Sequence, residues 1–102
     1  MTESELNQAV ELLVDADRVI DKIKRLIHAV RNSTGTSMRV VFGAGETFDT
    51  RDHDCIQDVA ESMVISASRY VETKLKKVRA LGIKPNDRVV PVFTRQKAPK
   101  PS

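Results

Sequence analysis

A chain of 102 residues, 40% hydrophobic and 30% charged, has the size and composition of one globular domain with a single modest core. An aromatic content of 4% and the absence of Trp leave that core to Leu, Ile, Val and Ala. No apolar run approaches the ~18 residues that a membrane helix requires, and the net charge of +3 says less than its distribution.

The N-terminal MTESELNQ lacks the basic and apolar regions of a signal peptide. Cys55 is the single cysteine, so no intrachain disulfide can form. Both features point to a reducing compartment, the cytoplasm.

From Thr2 to about Arg31 the pattern is helical. Ala9, Leu13, Ala16, Ile20, Ile23, Ile27 and Val30 recur at alternating spacings of four and three, the ~3.5-residue seam of packed helices. Val10, Leu12, Val14, Val19 and Leu26 widen the apolar face, so this helix is expected to meet more than one neighbour. Thr2 and Glu5 form the pattern of a capping box. Asn32-Ser33-Thr34-Gly35 supplies the stop.

A short strand is expected at about 38–42, with Met38, Val40 and Phe42 on one face. A second helix is expected from about Thr50 to Leu81, capped by Asp49 or Thr50. Its apolar face reads Ile56, Val59, Met63, Ala67, Tyr70, Val71, Leu75, Val78 and Leu81. Gly82 stands where a helix closes on a left-handed residue, with Ile83 folding back as its apolar contact. A turn at KPND then leads to a second strand at about 88–93, placed at an edge because Pro91 lacks a donor. The tail from Thr94 to Ser102 is basic, Pro-containing and expected to be disordered. The expected organisation is therefore one helical-hairpin domain over 1–93 and a flexible tail over 94–102. In class this is mainly α (α+β).

Charge alternates along the chain in four blocks, acidic over 1–21 and 43–62, basic over 22–42 and 63–102. Each helix thus begins acidic and ends basic, as its macrodipole favours. Laid antiparallel, Asp15, Asp17 and Asp21 face the region of Lys74, Lys76, Lys77 and Arg79. Lys22, Lys24, Arg25 and Arg31 face Asp52, Asp54, Asp58 and Glu61. A parallel pair would stack like charges. Exposed pairs contribute only ~0–1 kcal/mol each, so the blocks select orientation more than stability.

Helices of roughly 30 residues extend about 45 Å, and two strands of about 20 Å leaving opposite ends cannot easily pair. Either the second helix breaks near Ser62, Ser66 and Ser68, or the strands pair between subunits of a homodimer.

Three stretches invite a chemical reading. The strand running into Gly43-Ala44-Gly45 begins like a dinucleotide-binding turn, but Phe48 stands where the third small residue belongs. Glu46, Asp49, Asp52 and Asp54 then place acids where phosphate would sit, which reduces the glycines to a turn. The run Arg51-Asp52-His53-Asp54-Cys55 gathers ligand types, yet His53 and Cys55 face different ways on a helix, and a structural zinc site wants four ligands. Nothing brings Cys55 to His53 or His28 as nucleophile and base. No catalytic group, cofactor or metal is assigned.

The basic last third is the stronger candidate. Lys74, Lys77, Arg79, Lys84, Arg95, Lys97 and Lys100 could contact a partner or nucleic acid, although only Phe93 is at hand to stack on a base. Apolar positions exceed what one two-helix seam covers: Val10, Val14, Val19, Val64, Ile65 and Val90 are expected to form a dimer or partner surface. The functional expectation is a small non-enzymatic interaction module, a dimeric accessory or inhibitor protein that binds a macromolecular partner. The alternatives are a nucleic-acid-binding accessory protein and a binder of nucleotide or metal at the loop before the second helix.

Overall fold

Two amphipathic stretches separated by a glycine turn fold in the computed structural model as helix, hairpin, helix. Residues 2–31, 37–85 and 88–95 are described. The order is α1 (Glu3–Arg31), β1 (Met38–Val41), β2 (Thr47–Thr50) and α2 (His53–Ala80). The protein is mainly helical, an antiparallel helical hairpin with a small two-stranded sheet.

Helix α1 begins as its sequence predicts. The Thr2 hydroxyl accepts from the Glu5 N–H at 3.1 Å, satisfying one of the donors a helix start leaves unpaired. The seam residues Ala9, Ala16, Ile20, Ile23 and Ile27 are buried, with Leu12 buried in place of Leu13. The expected stop at 32–35 lies outside the described residues, as do Asn86 and Asp87 of the expected KPND turn.

Helix α2 is continuous through its serines, so no break at Ser62, Ser66 or Ser68 is needed. It starts at His53, later than expected, and Asp52 rather than Asp49 or Thr50 caps it. The Asp52 carboxylate accepts from the Asp54 N–H at 3.0 Å. The shift has a cause: residues 47–50 are taken up by β2. At the far end Gly82 has φ +87°. Its N–H donates to the Arg79 carbonyl at 2.9 Å and that of Ile83 to the Val78 carbonyl at 3.4 Å, the double closure expected of a glycine there.

Strand β1 pairs antiparallel with β2, Met38 opposite Thr50 and Val41 opposite Thr47. Phe42 to Glu46 connect the strands, and a bond between those two residues closes the turn to Gly43-Ala44-Gly45. The Phe42 N–H donates to the Glu46 carbonyl at 2.8 Å and the Gly45 N–H to the Phe42 carbonyl at 2.9 Å. Gly45, at φ +93°, supplies the left-handed residue such loops require. The glycines are a turn, as their acidic surroundings argued. Strand β2 was not anticipated, and it removes the reason for strand exchange between subunits: β1 has its partner within the chain.

The second expected strand is corrected too. Residues 88–93 form no ladder; they lie along the helix pair as a strap. Phe93 is 8% exposed and joins Ala16, Ile20, Ile23, Ile27, Ala60, Val64, Val71 and Leu75 in one core cluster, with Val90 packed against it. Arg88 holds Asp17 through two bonds of 2.9 and 3.2 Å, and Arg95 holds Asp58 at 2.6 Å. Asp15 and Asp21 pair within α1, with Arg18 and Arg25. Antiparallel order stands, while the strap and α1 itself take up acids expected to face the other helix.

The strap also rotates α2. The expected face included Met63 and Tyr70, yet these are 48% and 45% exposed, whereas Val64 is 3% exposed. Phe93 and Val90 supply apolar cover on the Val64 side, so α2 turns that side inward.

Candidate interaction surface

Three surfaces remain after the core is assigned. The first is the groove that holds the strap. Glu61, Ile65, Ser68, Arg69 and Glu72 of α2 and Val90 to Phe93 of the strap line an open hollow of about 1050 Å³. The strap's inward residues fill its floor, and Val89 and Val92 point to solvent.

The second surface is the opposite side of the same helix pair. A residue two positions further along a helix lies about 200° around its axis. Stepping from Glu61, Ile65 and Ser68 therefore leads to Met63, Ala67 and Tyr70 on the other side. There Val19 of α1 joins Met63, Ser66, Ala67 and Tyr70 around a shallow apolar hollow of about 390 Å³. Lys74 stands over the Tyr70 ring, its ammonium 4.9 Å from the centroid, within range of a cation–π contact. The molecule measures 61 × 32 × 15 Å. A thickness of 15 Å is little more than one helix, so the two helices form a single layer. Among the described residues no third element covers this side.

The third surface is the hairpin. Residues opposite one another across a ladder point to the same side. Met38, Val40, Phe48 and Thr50 therefore share a face, which Phe42 extends past the end of β1. The other face carries Arg39 opposite Asp49, joined by bonds of 2.8 and 3.4 Å. That hydrogen bond first, and the carboxylate's charge second, raise the Arg39 pKa above its ordinary value. The two faces are unlike: one carries the ion pair with the exposed Val41, the other Met38 and Val40, both half-buried, and the two aromatic residues. Phe42 and Phe48 are 57% and 52% exposed, and none of the hairpin's side chains belongs to the core cluster.

The expected surface residues divide among these places. Val64 lies inside the chain's own core, and Val90 packs against it. Val19 is half-buried in the open groove, Ile65 lines the strap groove, and Val10 and Val14 are exposed on α1. Among the cations, Lys74 is engaged with Tyr70 and Arg95 with Asp58. Lys77, Arg79 and Lys84 are exposed at the end of α2 and just beyond it. Lys97 and Lys100 lie outside the described residues. Cys55 is half-buried in the first turns of α2. Among the described residues no group of three or more His, Cys, Asp or Glu side chains is placed to hold a metal ion. No helix described is long and apolar enough to cross a membrane.

Comparison with protein-family models, curated proteins and solved structures found no match. The surfaces therefore carry the functional reading by themselves.

Sequence reasoning missed the hairpin face, although a signal for it was present. Thr47-Phe48-Asp49-Thr50 places β-branched and aromatic residues directly after a glycine loop that follows a strand. The acids at Asp49, Asp52 and Asp54 drew the whole stretch into the helix start instead.

Proposed function

We propose that this protein is a small, non-enzymatic interaction module, dimeric in solution, that acts as an accessory or inhibitor protein by occupying the surface of a macromolecular partner. The observation that carries this reading is the hairpin. A two-stranded sheet is marginal in water unless its apolar face is covered, and here Phe42 and Phe48 stand exposed beyond the core. Glu46, bonded to Phe42 across the end of the hairpin, sets an acid beside this face, so the chemistry it suits is an apolar protein surface rather than a phosphate backbone.

The test replaces both aromatic residues, Phe42→Ser with Phe48→Ser, in the full chain. Proteins retained from the native host by the parent and lost with the double variant, at unchanged helix content, support the reading. Retention of the same set by both contradicts it.

Contact with nucleic acid has one observation in its favour, the exposed Lys77, Arg79 and Lys84 near the end of α2. An anisotropy titration at two salt concentrations decides it, since phosphate binding weakens steeply with salt. No binding at low salt removes it.

A further inference from the structure

We infer that the uncovered side of the helix pair seats a second copy of the chain, face to face, in a four-helix arrangement with α1 on α1 and α2 on α2. The inference rests on the dimeric reading above and names where the copies meet.

The spacing of charges on α1 argues for it. Asp15 and Lys22 lie four residues before and three after Val19, on the same side of the helix. A two-fold axis in the plane of the face, crossing α1 near Val19 at right angles, turns α1 end for end. Asp15 of one copy then meets Lys22 of the other, and the symmetric contact repeats the pair. The second helix obeys the same axis. Met63 and Tyr70 lie symmetrically about the small residues Ser66 and Ala67, which border the same hollow as Val19. Rotation therefore brings each Met63 thioether to the other copy's Tyr70 ring, a favourable sulfur–aromatic contact. Lys74 covers one side of that ring and leaves the other for the partner. The Asp15 carboxylate lies 3.9 Å from Arg18 within its own helix, a loose contact that leaves it open to a second cation.

The size also fits. Two helices side by side are ~20 Å wide, and helices of this length run about 40 Å, so the face offers ~800 Å² per copy, the area of a standard stable interface. The competing arrangement, α1 on α2, would set Asp15 against Lys74 instead and leave Lys22 without a carboxylate of this set.

Charge exchange tests the geometry by sedimentation equilibrium on the full chain. Asp15→Lys and Lys22→Asp, each alone, place like charges together at both symmetric contacts and should weaken self-association about 10-fold. The double variant should recover the parent affinity, and an equimolar mixture of the two single variants should form heterodimers. Lys22 is exposed and Asp15 lies outside the core, half-exposed, so circular dichroism should show every variant folded. A dimer indifferent to the single changes, or weakened by them without recovery in the double variant, overturns this interface while leaving the dimeric reading in place. A parent chain that stays monomeric at every concentration overturns both.

Discussion

The two long sides of the helix pair begin from similar material and end differently. Both carry apolar residues of α2: Val64 and Ile65 toward one side, Met63, Ala67 and Tyr70 toward the other. The chain returns over the first side and stays there, because Phe93 and Val90 fill the floor and arginines pin both ends. Nothing described returns over the second. The difference teaches that α2's inward face is set by where the cover comes from as much as by the pattern on the helix.

The sharpest way to break this comparison uses neighbouring residues. Val64→Asp buries a charge in the core without a partner and should cost several kcal/mol, about 3–5, a large fraction of the stability of a domain of this size. Met63→Asp, one residue away on the uncovered side, should leave the monomer's stability within about 1 kcal/mol. Equal losses in urea unfolding would show that the two sides are not distinct.

Phe93→Ala comes next. It removes the strap's anchor from the core and should cost about 3 kcal/mol. The effect should be accompanied by faster amide exchange in α2 around Val64, where the strap's cover is lost.

Arg88→Ala should have the smallest effect, about 0.5–1 kcal/mol, since its partner Asp17 is half-exposed and such pairs are weak. A loss as large as that of Phe93→Ala would mean that the ion pairs, and not apolar burial, hold the strap.

Much of this fold was legible in the sequence because its causes are local. The seam of α1, the Thr2 cap, the Gly82 closure and the antiparallel order all follow from spacing and charge within one or two elements. What was not legible depends on contacts far apart in the chain. Met63-Val64-Ile65 is a continuous apolar run, and a run of three offers α2 three directions to face. Phe93, some thirty positions later, decides among them. The strap reads as an edge strand because its composition suits one; only the helix groove it lies against makes it something else. The α2 start was placed early because acids before a helix look like its first turn, while Thr47 to Thr50 were needed to pair with β1. The interaction surfaces were the least legible. An apolar residue announces burial in a sequence, and only the fold reveals which ones, such as Phe42 and Met63, remain uncovered.

The most direct test of the central claim, that the uncovered side is where two copies meet, is the solution mass of Met63→Asp. Sedimentation velocity at concentrations where the parent is dimeric should give a folded monomer. A variant that sediments with the parent's mass would contradict the account.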